Sequence, residues 1–403
     1  MINRNLLLAF SGGLDTSFCL IYLQKQGWNV TTITVNTGGF SKEEEGKIED
    51  WAYKLGSKKH YNMNASQSLF EKFISPLIKA NYLRNGVYPP CVGAERSIIV
   101  DEIQKIFNNT KEFSAIAHGS TGAGGDQVRF ESSLQTILPE IELIAPIRDL
   151  SLSRDETLKY IHENGFEFNK NHKNYSINIG LIGNTIGGKE TLDTKYPLPD
   201  DAFPCIKPIK NIKKIKFSIT FEYGIPIKLN NEGINGTVLM QKLNEIGFEN
   251  GYGKGYHIGT SILGLKARLG FEAPAYKILI FAHSELEKVT LTSKQIFWKN
   301  HLGNVYGDLI HEGHFYEPLL KDIESMIDSS NEFVCGEVEL SIESGNLQIE
   351  SINSKFSMFN KKAGTYGETM SAWTGNDAKS FAKLHSFEAK NAYWVRNQKD
   401  DSF

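Results

Sequence analysis

The sequence predicts an α/β protein: a mostly parallel sheet covered by helices on both faces, joined to an α+β domain and closed by a terminal helix. Three observations lead there. Short apolar runs alternate with helical patterns as far as Phe168, as expected when strands pair in parallel through helical crossovers. Beyond the polar, Asn- and Lys-rich stretch 164–175, the pattern turns to hairpins and long apolar helices. The chain then ends on a segment whose apolar residues share one helical face. Domains are therefore expected over residues 1–168 and 169–365, with the terminal helix inside 366–403.

The elements follow in order. Leu6–Phe10 is uniformly apolar and reads as a buried strand, after which Phe18, Ile21 and Tyr22 recur at helical spacing. The β-branched run Val30–Val35 is a second strand, and the charged, periodic Lys42–Leu55 a helix. His60–Met63 is a weaker strand, Ser66–Ile78 and Ala94–Ile106 are helices, and Ser114–Ala117 and Glu142–Pro146 are strands. Further on, Ile215–Phe221 and Ile225–Leu229 form one hairpin, while Val338–Ile342 and Leu347–Ser351 form another around Gly345. Helices are expected over Thr237–Ile246, Ala275–Leu286, Lys294–His301 and Tyr316–Ile327. Gly251–Tyr256, with His257, reads as a loop over a pocket, and Lys207–Lys216 as solvated surface. Asp377–Tyr393 is one amphipathic helix whose Phe381, Leu384 and Phe387 need a partner, and a neighbouring subunit is the natural one.

The bulk numbers exclude several classes. The 403 residues suffice for two cores, and 40% hydrophobic with 23% charged residues is ordinary for a globular protein. A net charge of −3 gives no global pull toward nucleic acid or an anionic membrane. No apolar run is long enough to span a bilayer, and Leu6–Phe10 is too short for a signal sequence. Cys19, Cys91, Cys205 and Cys335 are far apart, which argues against a disulfide framework or a zinc site and fits a reducing cytosol. A cytoplasmic protein with small-molecule substrates is expected, without nucleic-acid or membrane partners.

The strongest local signal is Ser11-Gly12-Gly13-Leu14-Asp15-Thr16-Ser17, between a buried strand and a helix. Glycines let the backbone turn sharply and bring N–H groups close to an anion. The helix that follows offers unpaired N–H donors and a positive dipole end, and Ser11, Thr16 and Ser17 add hydroxyls. With no lysine in the loop this is not a Walker A site, and the GxGxxG spacing is missing. The string resembles the pyrophosphate loop of the N-type ATP pyrophosphatases, which split ATP to AMP and pyrophosphate while adenylating a substrate oxygen.

A second segment narrows the resemblance. His118-Gly119-Ser120-Thr121-Gly122-Ala123-Gly124-Gly125-Asp126-Gln127-Val128-Arg129-Phe130-Glu131 is similar to HGxTGKGNDQVRFE of the argininosuccinate synthase family. The likeness continues through Tyr88-Pro89 with Arg96, Ala145–Arg148, Tyr175-Ser176, Gly264–Arg268 and Glu272–Pro274, nearly the whole chain. It implies an adenine-nucleotide alpha-hydrolase-like (HUP) domain, a synthetase domain, and a homotetramer held through the C-terminal helix. It also implies ATP with Mg²⁺ carried on its phosphates, no protein metal site, and aspartate and a ureido or amide acceptor as substrates. ATP would adenylate the ureido oxygen of citrulline, and the aspartate amine would displace AMP to give argininosuccinate.

By the same resemblance, Ala9, Phe10, Ser11, Gly12, Gly13, Asp15, Thr16, Ser17 and Gly119 cradle the nucleotide. Thr121 and Asp126 hold aspartate, and Arg129 forks onto the acceptor carboxylate. Tyr88, Arg96, Ser176 and Thr185 line the substrate pocket, and Asp15, Asp126 and Arg129 are the candidate catalytic residues. His118 is expected to be structural. Several positions depart from the family pattern. Gly125 stands for an asparagine and Ala123 for a lysine, Val92 for a hydroxyl residue, Gly187 and Gly259 each for a glutamate, and Phe271 for a tyrosine. In the family the two glutamates grip the α-ammonium of citrulline, so their loss points to an alternative: a paralogue whose acceptor lacks that ammonium. Two other classes stay in view, a non-catalytic ATP-binding protein and a tRNA thiolase, the latter lacking a reactive cysteine signature and a basic face.

Overall fold

Leu6, Leu7 and Leu8 have no exposed surface, which requires a strand covered on both faces. The computed structural model describes residues 4–168, 175–206 and 213–397, and places these leucines in β1 (Asn5–Ala9). The chain continues through α1 (Leu14–Lys25), β2 (Asn29–Asn36), α2 (Lys42–Lys54) and β3 (His60–Asn64). Next come α3 (Ser66–Leu69), a π turn over Phe70–Ile74, and α4 (Ser75–Lys79). Then follow α5 (Cys91–Thr110), β4 (Ala115–Ala117), α6 (Asp126–Ile137), β5 (Glu142–Ile144), α7 (Pro146–Asp149) and α8 (Arg154–Glu163). The expected helix over Ser66–Ile78 is thus interrupted by a π turn. The short helices α7 and α8 were not foreseen, although Ser153 and Glu156 close a capping box at the start of α8.

The five strands are parallel, in the order β3-β2-β1-β4-β5, with Leu7 opposite both Thr31 and Ile116. The chain therefore runs outward from β1 through β2 and β3, then returns to the other side of β1 as β4. Loops leaving β1 and β4 emerge side by side at the C-terminal edge, the switch point where open α/β sheets bind ligands.

The rest of the chain is built from antiparallel pairs. It comprises β6 (Ser176–Asn178), β7 (Asn184–Gly187), β8 (Ile215–Glu222), β9 (Ile225–Leu229), β10 (Glu232–Gly233) and α9 (Gly236–Glu249). After them come β11 (Lys254–Thr260), β12 (Lys266–Glu272), α10 (Pro274–Thr290), α11 (Ser293–Glu312), α12 (Pro318–Asn331), β13 (Gly336–Glu343) and β14 (Asn346–Asn353). One sheet runs β10-β9-β8-β13-β14 and a smaller one β11-β12-β7-β6. Residues 1–356 form one compact unit.

Two expectations fail here for identifiable reasons. Lys254–Thr260 is an edge strand rather than part of a loop, and its glycines and polar residues mask the strand pattern. Helix α11 runs on to Glu312 instead of ending at His301. Its continuation contains Gly303 and Gly307, weak helix formers placed where bulk is forbidden. A Cβ on Gly303 would strike the Ala80 carbonyl, and one on Gly307 the ring of Tyr82.

Residues 357–403 form a second unit. The expected single helix over Asp377–Tyr393 is two, α13 (Gly375–His385) and α14 (Phe387–Asn397). At the break the Ser386 hydroxyl donates to the Lys383 carbonyl, a side-chain bond that competes with the helical ladder. Phe381, Leu384 and Phe387 are exposed. Most of the Lys207–Lys216 run and part of the stretch 164–175 lie outside the described residues, while Lys214 and Lys216 pair with Glu350.

Candidate active site

A cleft of about 850 Å³ opens at the C-terminal edge of the parallel sheet. Its floor is the loop after β1. Gly12 turns the chain with φ +71°, and Gly13 then caps α1 without any side-chain hydrogen bond, so the first N–H groups of the helix lack a side-chain acceptor. The Ser11 and Thr16 hydroxyls lie 3.3 Å apart, and Thr16 also donates to the Gly13 carbonyl at 3.2 Å. Burial pushes the Asp15 carboxyl above its ordinary range, against the pull of Arg154.

The loop after β4 closes on this one. A Cβ on Gly119 would lie 3.1 Å from Thr16 Cγ2 and 3.2 Å from its backbone nitrogen, a tight fit that glycine relieves where the two loops meet. His118 beside it lines the cleft and is tied into the surrounding fold. Its Nδ1 accepts from the Ser120 N–H at 3.3 Å, which leaves Nε2 to donate to Glu131 at 3.3 Å.

Past the loop, α6 begins with Asp126. Arg96 Nε donates to its Oδ2 at 3.1 Å, and Arg129 NH1 to its Oδ1 at 2.8 Å. Burial works to raise the Asp126 pKa, but the two guanidiniums outweigh it and hold the carboxylate below its usual range. Arg129 is held from the other side too: Nε donates to the His311 carbonyl at 2.6 Å and NH2 meets His311 Nε2 at 3.0 Å.

The antiparallel sheet supplies the far wall. Ser176 pairs with Gly187 across β6 and β7, and Thr185 with Phe271 across β7 and β12. Tyr88 is buried, stacks on His257 at 4.9 Å and meets Phe271 edge-on at 5.6 Å. The two glycines, Gly187 and Gly259, differ. Nothing lies within 4 Å of a Cβ built on Gly187, so that space is open. A Cβ on Gly259 would come 2.5 Å from His257 Nε2, so the imidazole has taken that space.

The cleft is lined by Ala9, Phe10, Ser11, Gly13, Asp15, Thr16, Tyr88, Arg96, Gly119, Thr121, Gly125, Asp126, Arg129, Ser176, Thr185, Gly187 and Gly259. Three expected residues stand behind it. Gly12 packs toward Ile48, Ser17 is buried and accepts from Trp51 Nε1 at 2.8 Å, and Phe271 is wholly buried behind Tyr88. His311, Glu95, Arg84 and His257 also line the cleft, and the sequence pattern singles out none of them as a site residue. His311 lies 182 residues from Arg129, so no local pattern could join them. Glu95 could have been noticed, since Ile98 and Ile99, three and four residues on, place it on the apolar face of the Ala94–Ile106 helix.

Comparison with known proteins accounts for both parts of the cleft. The family profile "Arginosuccinate synthase N-terminal HUP domain" matches residues 5–167, and "Arginosuccinate synthase C-terminal domain" matches residues 175–392. The argininosuccinate synthase of Hyperthermus butylicus is 36% identical over 394 residues, spanning 96% of this chain and 98% of that protein. The enzyme of the same name from Sulfolobus acidocaldarius is 34% identical over 393 residues, spanning 96% and 99%. That of Pyrococcus furiosus is 35% identical over 391 residues, spanning 96% and 94%.

Proposed function

The chain belongs to the argininosuccinate synthase family, and on that premise we propose that it joins citrulline to aspartate at the expense of ATP. It is an ATP-dependent ligase forming a carbon–nitrogen bond. The ureido oxygen of citrulline attacks the α-phosphorus of ATP, and pyrophosphate leaves. The aspartate amine then attacks the activated carbon, AMP leaves with that oxygen, and a proton is lost from nitrogen. The observation that carries this reading is that Ser11–Thr16 and Gly119–Arg129, far apart in sequence, line one cleft.

Each group has work that suits its chemistry. The unpaired N–H groups at the start of α1 and the Ser11 and Thr16 hydroxyls suit a pyrophosphate. Asp126, kept ionised by two arginines, suits the aspartate ammonium, and Arg129 an acceptor carboxylate. Catalysis is then mainly positioning and charge neutralisation, without a covalent nucleophile. Mg²⁺, when bound, neutralises phosphate charge as pyrophosphate departs. Mg²⁺ commonly arrives on phosphates with few protein ligands, and Asp15, in the nucleotide loop, would be the carboxylate to hold it. Assembly as a homotetramer through the segment 366–403 and a cytoplasmic location belong to the same proposal.

The test is pyrophosphate release with ATP, Mg²⁺ and aspartate across citrulline and a series of ureido and amide acids. Robust release with citrulline is expected. Silence with citrulline beside turnover of another acceptor overturns the assignment.

A further inference from the structure

Four carboxylates line the cleft: Asp15, Glu44, Glu95 and Asp126. Asp15 belongs to the nucleotide loop, Glu44 is exposed and bonded to Ser41, and Asp126 already accepts from Arg96 and Arg129. Glu95 differs from all of these. It projects from α5, is 3% exposed, and forms no ion pair among the described residues. Its Oε1 is buried without a hydrogen-bond partner.

Space for this carboxyl has been left in the opposite wall. A Cβ on Gly180 would overlap the Glu95 carboxyl, so the acid in this position uses the space that a side chain at residue 180 would take in the loop between β6 and β7. The adjacent guanidinium, Arg96, is turned to Asp126. A buried carboxyl missing a donor is costly, and a cationic donor entering the cleft would recover that loss.

We infer that Glu95 receives the ammonium group of an amino-acid substrate, and so takes part in selecting substrates that carry one. This rests on the ligase reading above and adds a residue to it. Both substrates there, citrulline and aspartate, carry an ammonium, so the chemistry is shared and the experiment must separate the two sources. The groups facing Glu95 are Tyr88, Cys91, Arg96 and Asp126. Burial raises the Glu95 carboxyl to about 8, with Asp126 adding to the rise and Arg96 opposing it. At pH 7 it is mostly protonated, so docking an ammonium on the carboxylate releases close to one proton per ligand bound.

The test uses the parent and the uncharged Glu95→Gln and Glu95→Met variants. Citrulline and aspartate are titrated calorimetrically with a non-hydrolysable ATP analogue, in two buffers of different ionisation heat. The amine-free counterparts 5-ureidopentanoate and succinate serve as controls. In the parent, one of the two amino acids should bind with proton release. That same ligand should bind about tenfold or more weakly to both variants, without the release, while the amine-free counterparts bind parent and variants alike. The ligand affected identifies the source. Binding of both amino acids to the variants within about twofold of the parent, or undiminished proton release, overturns the role of Glu95. Binding with the expected losses but no pyrophosphate release from citrulline in the parent overturns the reaction and leaves Glu95 standing. Absence of binding of either amino acid to the parent overturns both.

Discussion

Arg129 and His311 are fastened to each other twice: Nε of the arginine donates to the histidine carbonyl at 2.6 Å, and NH2 meets its ring Nε2 at 3.0 Å. Because the arginine can only donate, Nε2 accepts and the imidazole is neutral. Burial, with Arg129 next in effect, depresses the His311 pKa well below its ordinary value. The end of α11 thus aims a guanidinium on α6. Arg129→Lys keeps the charge and loses the planar fork, so kcat/KM for the acceptor should fall about 30- to 1,000-fold, as steady-state kinetics would show. His311→Ala should act in the same direction more mildly, with a raised KM for the acceptor and an unchanged KM for ATP.

Asp15→Ala should abolish pyrophosphate release, and the more conservative Asp15→Asn should reduce it by orders of magnitude. Since the Asp15 carboxyl is raised by burial, the acid limb of the parent pH–rate profile should lie above the ordinary aspartate range of about 4. Residual turnover in Asp15→Ala near the parent level would contradict the nucleotide-loop assignment.

The Glu95 carboxyl also makes a stability prediction. Its folded pKa of about 8 lies above the ordinary 4.5, so between these values the folded protein holds a proton that the unfolded chain gives up. Stability contributed at this position therefore falls as pH rises through that window. Glu95→Gln should match the parent near pH 4 and exceed it by about 2–4 kcal/mol near pH 8, measured by denaturant unfolding at both pH values. A difference independent of pH would rule out a neutral buried acid.

Gly180→Ala tests contact rather than conformation, since the φ of Gly180 does not lie in the left-handed region. The single change should destabilise by about 0.5–1.5 kcal/mol because the flexible Glu95 carboxyl must turn aside from the new methyl. The double variant Gly180→Ala, Glu95→Ala should recover most of that loss. A double-mutant cycle with coupling below about 0.5 kcal/mol would deny the contact.

Phe381, Leu384 and Phe387 are more than half exposed in the terminal unit. If they seat against another copy, Phe381→Asp with Leu384→Asp should lower the particle mass measured by light scattering while leaving the helix signal unchanged. A mass equal to the parent's would remove these residues from the interface.

Much of this arrangement could be read from the chain. The parallel sheet was visible because β1 is an apolar run and β2 a β-branched one, each of strand length, and the nucleotide loop because its glycines and hydroxyls lie next to one another in sequence. What escaped was non-local or disguised. The His311 clamp joins positions 182 residues apart. Helix α11 continues through Gly303 and Gly307 because tertiary packing at Ala80 and Tyr82 excludes a Cβ, a constraint that helix propensity does not contain. Strand β11 looks like a loop because its edge position tolerates glycine and polar residues. Most of the residues named by the likeness to a family line the cleft, yet it could not say that His257 fills the space beside Gly259 while the space beside Gly187 stays open.

The separation of the two walls has an evolutionary consequence. The nucleotide loop hangs from the parallel sheet, whereas Thr185, Gly187 and Gly259 sit on the small antiparallel one. Side chains can be exchanged on the second sheet without disturbing the backbone turn at Gly12 or the loop contact at Gly119. Substrate preference can therefore drift while the energy source stays fixed, and a lineage can try new acceptors without first losing its grip on ATP.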